Sequence, residues 1–238
     1  EVLQQCTIDG LVVRLPDLQL ERKLYQEVAK SLELIGGKWN RKQNGFVFQM
    51  DPTDLLESIS NGDKRNLQKE YQFFATPDDI ADWLVELSDL QNYEKVLEPS
   101  AGQGAIVEAM QRKWHNIVPV CVEIMPQNSL ILTKKKITHF FQDFLTSECK
   151  CPFDKIIANP PFSKNQDIDH VYKMVECCKQ GGRVVSVMSN HWRESDKKKE
   201  SEFRNFLEGM EAEIHDIPAG KFKESGTMIS CCVVVINP

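Results

Sequence analysis

The sequence predicts an α/β protein with a doubly wound sheet of seven strands, preceded by a small α+β unit. Two observations support this fold class. From about residue 71 onward, short apolar runs alternate with segments of helical periodicity, which is typical of a largely parallel sheet covered by helices. Several of those runs end in glycines, acidic residues or an asparagine. In such sheets ligands bind outside the carboxyl ends of the strands, so these residues are candidates for one site.

The length and charge of the chain limit the remaining possibilities. Its 238 residues, with 41% hydrophobic content and a net charge of −6, allow one large domain with a smaller one. We see no apolar run of the roughly 18 residues that span a bilayer, and expect a cytoplasmic protein. The mild acidity disfavours a non-specific nucleic-acid coat but leaves room for a local basic surface.

Eight cysteines stand at positions 6, 121, 149, 151, 177, 178, 231 and 232. None forms a CxxC pair, and several fall inside apolar runs such as SCCVVVI. Because zinc sites need closely spaced Cys or His ligands, we expect no metal. The sequence predicts reduced, buried thiols.

Residues 1–70 form the small N-terminal unit. The pattern predicts a strand in TIDGLVVRL interrupted at Gly10, a helix in LQLERKLYQEVAKSLELI, and a strand in GFVFQM. Asp51 and Pro52 would open a second helix as its N-cap and first residue, and SNGDKRNLQKEYQ resembles a linker. The segment GGKWNRKQNGF mixes aromatic and basic residues. It could contact nucleic acid or simply form a β-turn.

The second unit, residues 71–238, opens with TPDD, which predicts a helix capped by Thr76 with Pro77 in first position and Asp79 three residues on. Seven strands are then predicted in the runs KVLEP, VPVCVEI, HFFQDF, FDKIIANP, GGRVVSVMS, AEIHDIPA and SCCVVVI.

The first of these strands leads into the turn SAGQG, and a helix follows directly. Gly102 and Gly104 allow a tight turn and a close approach of the backbone to a ligand. The third glycine of the dinucleotide fingerprint is missing, because Val107 and Glu108 occupy its place. Glu98 at this turn disfavours a polyanion and suits an amino or sulfonium group.

The next two strand ends carry carboxylates. Glu123 lies about twenty residues beyond the glycines, where it can accept hydrogen bonds from both ribose hydroxyls. Asp143 could accept from an adenine amino group, with Phe144 against the ring. Together with the glycine turn, these residues predict an adenosine-containing cofactor without a pyrophosphate. S-adenosylmethionine fits that description.

The fourth strand stops at Asn159 and is followed by two prolines and an aromatic residue. Prolines end a strand ladder because they lack the N–H donor. The Asn159 side-chain oxygen and the Pro160 carbonyl could accept both hydrogens of an exocyclic amine, with Pro161 stiffening the corner. Phe162 could stack on a flipped base.

EPSAGQG, VEI, DF and above all NPPF resemble the class I methyltransferases that act on exocyclic amines, especially the DNA adenine-N6 enzymes found in phages and mobile elements. FFATP, residues 73–77, is similar to that family's upstream cofactor segment. The resemblance covers residues 71–238 and implies a Rossmann-like class I methyltransferase fold, S-adenosylmethionine as cofactor and DNA as substrate. It also implies catalytic roles for Asn159, Pro160, Pro161 and Phe162. The implied cofactor contacts are Phe74, Thr76, Pro77, Glu98, Pro99, Ser100, Ala101, Gly102, Gly104, Glu123, Ile124, Asp143, Phe144 and Asn159.

Two later loops are candidate substrate contacts. Trp192 and Arg193 follow the fifth strand, and Lys221 and Phe222 lie in AGKFKESGT, which resembles the family's hairpin beside the target base. Both loops could equally be solvated connections. We see no separate target-recognition domain, so recognition is expected from loops, from the N-terminal unit, or from a specificity or restriction partner.

Other substrates share the same tetrad. Similar enzymes methylate the glutamine amide of release factors, guanine N2 of ribosomal RNA, or cytosine N4, and an inactive scaffold would keep only the cofactor site. The FFATP segment and the SGT at residues 225–227 favour DNA adenine by resemblance.

Overall fold

The computed structural model describes residues 2–48, 51–62, 74–149, 151–222 and 230–238. The chain divides into two compact units, Glu1–Gln72 and Phe73–Pro238. Most of the predicted linker, Phe73 of the FFATP segment and the SGT segment lie outside the described residues. No helix in the described part of the chain is long and apolar enough to cross a membrane.

In its described part, the first unit is a four-stranded antiparallel sheet with two α-helices, and its strands run in the order β1-β2-β4-β3. The sheet packs on Val28 and Leu32 of the first helix through Val13 and Phe46. The Asp51 carboxylate accepts the Thr53 amide at 2.9 Å, and the second helix begins one residue later than predicted. The elements are β1 Thr7–Asp9, β2 Val12–Arg14, α1 Arg22–Leu34, β3 Lys38–Asn40, β4 Gly45–Val47 and α2 Thr53–Ser60.

All seven strands predicted for the second unit are present in the structure. Its elements are α3 Asp78–Leu87, β5 Val96–Glu98, α4 Ala105–Lys113, β6 Val120–Glu123, α5 Pro126–Lys134, β7 Phe140–Phe141, β8 Phe153–Ala158, α6 Gln166–Cys177, β9 Cys178–Ser189, α7 His191–Glu194, α8 Lys198–Gly209, β10 Glu213–Asp216 and β11 Cys231–Ile236.

The seven strands form one sheet in the order β10-β11-β9-β8-β5-β6-β7. The strands from β9 to β7 are parallel, as predicted. The last strand, β11, departs from that pattern because it runs antiparallel to both β9 and β10. The order makes β8, β5, β6 and β7 neighbours, so the carboxyl ends that carry the four candidate segments line one edge of the sheet.

Alternating side chains of the central strands fill two cores. Ile157, Val185 and Val233 pack with α3 and α4 on one face, and Ile156 and Val184 pack with α6 and α8 on the other. Because successive side chains of a strand point to opposite faces, a strand buried on both sides is largely apolar, as residues 156–158 and 233–236 are.

The cysteines differ in part from the prediction. Cys149 and Cys177 form a disulfide with a Cα–Cα distance of 5.6 Å, within the range that a disulfide needs, and Cys151 is exposed. The expectation of reduced, buried thiols holds for Cys121 and Cys178 and for the pair in β11. No group of three or more metal-binding side chains occurs in the described ranges.

Candidate active site

Asn159 follows the last residue of β8, and its side-chain amide is held in one orientation. The amide nitrogen Nδ2 donates to the Phe74 carbonyl oxygen at 3.3 Å and to Thr76 Oγ1 at 3.1 Å. A carbonyl oxygen only accepts hydrogen bonds, so the nitrogen must face Phe74 and the oxygen Oδ1 must face away. Pro160, which follows, is buried. The corner therefore presents an acceptor oxygen of fixed direction.

Thr76 does not cap the helix that was predicted to begin beside it. Helix α3 begins at Asp78 with Pro77 at the N-cap position, and no side chain caps it. The Thr76 hydroxyl bonds to Asn159 instead. The prediction that Thr76 caps this helix is thus wrong. Its hydroxyl oxygen instead accepts a hydrogen bond from Asn159, which lies 83 residues away in the sequence.

The backbone directly after Phe162 is strained and tied to a neighbouring helix. Lys164 and Asn165 have φ values of 54° and 59°, a left-handed conformation that costs non-glycine residues about 1 kcal/mol or more each. The Asn165 side chain donates to Glu200 Oε1 at 2.9 Å, and Lys199 Nζ donates to the Asn165 carbonyl at 3.1 Å. These contacts from the first turn of α8 hold the segment behind the tetrad in place.

The turn between β5 and α4 requires its glycines. Gly102 has φ +54° and Gly104 has φ +88°, in the left-handed region that favours glycine. A Cβ atom on Gly104 would lie 2.6 Å from Ile137 Cδ1. The first N–H groups of α4 have no partner within the helix, so this turn offers donors at the same sheet edge as Asn159.

Glu123, at the end of β6, holds the glycine turn. Its Oε2 accepts the Gly102 amide at 2.6 Å and its Oε1 accepts the Met125 amide at 2.5 Å. Burial raises the pKa of the Glu123 carboxyl, with 6% of the residue exposed. Each carboxylate oxygen already has one backbone donor, and its remaining lone pairs are what a ribose would use.

Glu98, at the end of β5, is a buried carboxyl with an unused oxygen. Only 1% of the residue is exposed, and Oε2 has no hydrogen-bond partner in the described structure. Burial, followed by the neighbouring Glu123 carboxylate, raises the pKa of Glu98 well above its usual value. Because buried polar atoms are normally paired, this oxygen fits a ligand that brings a donor or a positive charge.

Among the candidate cofactor contacts around the end of β7, some side chains are buried in the core and others are exposed. Asp143 Oδ1 accepts the Leu145 amide at 2.9 Å. Phe144 is 4% exposed and is covered by the His170 ring, 5.7 Å between centroids, and by Lys173. This corrects the expectation of a free ring face at Phe144. His170 is 4% exposed, and Ile124, beside Glu123, is an exposed apolar residue, at 45%.

The four predicted substrate contacts are engaged within the protein. Trp192 is 3% exposed and meets Phe203 edge-on, and Phe222 is 4% exposed in the core that contains α3 and α4. This corrects the expectation that both rings face a substrate. Arg193 pairs with Asp216 at 2.6 Å, and Lys221 pairs with Asp79.

Asp167 is a residue of this region that the sequence interpretation missed. It is 1% exposed in the first turn of α6 and accepts the Ser189 amide at 3.1 Å and the Ser189 hydroxyl at 2.9 Å. It thereby ties the helix that follows the tetrad to the end of β9. An acidic residue in a helical first turn is common, so no specific signal marks Asp167 in the sequence.

Comparisons with known proteins place this geometry in context. No family model matches the chain. Over 108 residues, 44% of the chain, it is 32% identical to the type II methyltransferase M.CvrRI of Paramecium bursaria Chlorella virus XZ-6E, and the match spans 28% of that protein. A Listeria monocytogenes protein described as a class I S-adenosylmethionine-dependent methyltransferase superposes on 78% of the chain with a TM-score of 0.56 and 16% identity, over 66% of its own length. The chain has the class I methyltransferase fold.

A second structure with the methyltransferase fold comes from a DNA-modifying system. The type I restriction-modification methyltransferase subunit of Streptococcus thermophilus matches 69% of the chain and 44% of its own length, with a TM-score of 0.57 and 16% identity. The predicted fold is confirmed, and the viral relative confirms the predicted resemblance to methyltransferases. The chain spans less than a third of that viral relative.

Proposed function

We propose that the chain transfers a methyl group from S-adenosylmethionine to the exocyclic N6 amine of adenine in DNA. One observation carries the proposal: the Asn159 amide, directly after β8, is fixed with its oxygen facing away from Phe74 and Thr76, and β8 pairs with β5, which ends at Glu98 before the glycine turn. An acceptor for an amine and a polar pocket for a cofactor thus share one sheet edge.

The residues present fit S-adenosylmethionine. Its amino or sulfonium group would complement the unpaired Glu98 Oε2, and the glycine turn and Glu123 would hold the amino-acid and ribose parts. Asp143 remains a candidate for the adenine. The other candidate cofactor contacts are Ile124, Phe74, Thr76, Pro77 and residues 99–101. When bound, the cofactor supplies an electrophilic methyl group on a positively charged sulfur.

The chemistry asked of this chain is activation of a weak nucleophile. The lone pair of an adenine amine is delocalised into the ring. Two acceptors, Asn159 Oδ1 and the Pro160 carbonyl, would bind the two N–H groups and favour a nitrogen with a localised lone pair. With its lone pair localised, the nitrogen would accept the methyl group that the bound cofactor supplies, the electrons of the broken S–C bond would stay on sulfur, and one amine proton would pass to water. Preset acceptors cost no reorganisation during the reaction.

The base must leave the double helix to reach this corner. Phe162 is half-buried, with one side packed against the core, and stacking of its remaining surface on the base would contribute about 1–3 kcal/mol.

Similarity to a restriction-modification subunit motivates a second proposal, that a specificity or restriction partner assists target recognition.

The test is transfer of a radiolabelled methyl group to DNA, RNA and release-factor protein in parallel, followed by nucleoside analysis. Label in N6-methyladenosine of DNA is the expected result. Label confined to guanosine or cytosine, or to protein glutamine, would reassign the substrate. Cofactor binding without transfer to any acceptor would point to an inactive scaffold.

A substitution links that activity to the corner. Asn159→Ala removes the amide oxygen and should lower turnover at least 100-fold, as expected for losing a preset acceptor, while cofactor affinity changes only a few-fold. Asn61→Ala, the same change at an exposed residue of the first unit, is the control. Unchanged turnover of Asn159→Ala would refute the assigned role.

A further inference from the structure

The hairpin of strands β3 and β4, residues 38–47, exposes an aromatic ring among basic side chains. Trp39 is 44% exposed although it lies in a strand. Lys38 precedes it, and Arg41 and Lys42 occupy the exposed turn. None of these three cations forms an ion pair with a described residue. In a chain of net charge −6, an uncompensated group of this kind points to an anionic partner.

The exposed ring is supported from below. Trp39 pairs across the ladder with Phe46, a buried residue, and the two rings meet edge to face with centroids 5.2 Å apart. Strand β3 lies at the edge of its sheet, so no further strand among the described residues covers the Trp39 side. A ring fixed on one side and open on the other can stack on a flat partner without first being ordered.

The turn that carries the cations is also fixed. Asn40 Oδ1 accepts the amides of Lys42 and Gln43 at 2.9 and 3.2 Å. At the turn end of the hairpin, where Gly45 pairs with Asn40, a Cβ on Gly45 would lie 2.6 Å from Val12 of β2, so β4 packs closely against β2 there. The spacing of the ring and the charges is therefore built into the fold.

We propose that this hairpin binds single-stranded DNA, with Trp39 stacked on an unpaired base and with Lys38, Arg41 and Lys42 on the neighbouring phosphates. Base faces are hidden in a duplex and accessible in a single strand, where aromatic stacking and cationic contacts act together. The choice of DNA rests on the proposed function. The binding would give the first unit a role in substrate capture.

The test measures anisotropy of a labelled 20-nucleotide single strand and of its duplex with the full chain over a range of salt concentrations. Trp39→Ala should weaken single-strand binding about tenfold, the change expected for one lost stack, while Trp39→Phe retains most of the affinity. The triple change Lys38→Gln, Arg41→Gln, Lys42→Gln should reduce the slope of log affinity against log salt by about 2.

The triple change Arg22→Gln, Lys23→Gln, Lys30→Gln on exposed positions of α1 removes the same charge elsewhere and is the control. Single-strand affinity that is unchanged by Trp39→Ala, or lowered equally by the control triple, would overturn the proposal. So would equal losses on duplex and single strand, or a wild-type chain with no single-strand affinity at low salt, which would indicate an acidic protein as partner.

Methyl transfer at saturating DNA, measured on the same proteins, separates this proposal from the proposed function. Weaker binding by the hairpin variants without any transfer by the wild type would refute the methylation proposal and support the hairpin. Transfer by the wild type, with hairpin variants that bind as it does, would refute the hairpin alone.

Discussion

At the scale of single residues, the contact between Thr76 and Asn159 joins two motifs that are 83 positions apart. The Thr76 hydroxyl oxygen and the Phe74 carbonyl oxygen both accept hydrogen bonds from the amide nitrogen of Asn159. The direction of Asn159 Oδ1 is therefore a property of the segment before α3 as much as of β8. In the proposed reaction, Thr76 positions an acceptor that another residue supplies.

Thr76→Val keeps the shape of the side chain but removes one acceptor for the Asn159 amide. We expect turnover at saturating cofactor and DNA to fall about five- to tenfold, because a hydrogen bond is worth about 1 kcal/mol and Phe74 still holds the amide. Thr76→Ser should restore most of the rate. Equal turnover of the valine variant and the wild type, or a serine variant as slow as the valine one, would contradict the positioning role.

At the scale of elements, the turn from β5 into α4 combines a positive φ with close packing at Gly104. Gly181 in β9 also has a positive φ, +72°, but a Cβ there would have no atom within 4 Å. Substituting each glycine by alanine therefore distinguishes the cost of a left-handed backbone, present at both positions, from the cost of a steric clash, present at Gly104.

Gly181→Ala should lower the free energy of unfolding by about 1–2 kcal/mol, the cost of placing a Cβ in a left-handed conformation. Gly104→Ala should lower it by about 1–3 kcal/mol more, because its Cβ overpacks the core beside Ile137. Urea unfolding of both variants measures the difference. A Gly104→Ala variant no less stable than Gly181→Ala would show that the turn relaxes freely.

The strands and the glycine turn were predictable because local patterns determine them. Runs such as IIA in β8 and VVVI in β11 are apolar at every position, as is typical of strands covered on both faces. The direction of β11 was not predictable in this way, because an apolar run is equally compatible with parallel and antiparallel pairing. Its antiparallel pairing depends on its place between β9 and β10.

Parts of the candidate site depend on distant partners and escaped the sequence. Thr76 fits the sequence pattern of a helix N-cap, yet its hydroxyl hydrogen-bonds to the Asn159 amide. Trp192 follows β9 and Phe222 lies between β10 and β11, in loops where exposed side chains were expected. Both rings are buried in the cores that the sheet forms with its helices. Cys149 and Cys177 meet only because β8 and α6 return the chain to the same place.

At the scale of the whole molecule, the buried Glu98 carboxyl sets part of the pH dependence of stability. Its pKa in the folded chain lies well above the reference value of 4.5. Between that pH and the raised pKa, the folded chain keeps a proton that the unfolded chain has lost. The free energy of unfolding therefore falls as the pH rises through this window.

Glu98→Gln should remove that fall in the cofactor-free protein. We expect the variant to be more stable than the wild type at neutral pH, with the advantage disappearing as the pH drops to about 4.5 and below. Chemical unfolding at a series of pH values provides the comparison, and Glu86→Gln on the exposed side of α3 is the control. A stability difference that does not vary with pH would argue against a raised pKa at Glu98.

Strand β11 has a consequence for synthesis on the ribosome. Residues 231–236 are all buried between β9 and β10, although they are translated after both of those strands. A nascent chain that has not reached Cys231 leaves the apolar edge of β9 unpaired, and exposed edges of this kind invite association with other chains. Until β11 is made, aggregation or chaperone capture would therefore compete with folding of the sheet that carries the candidate site.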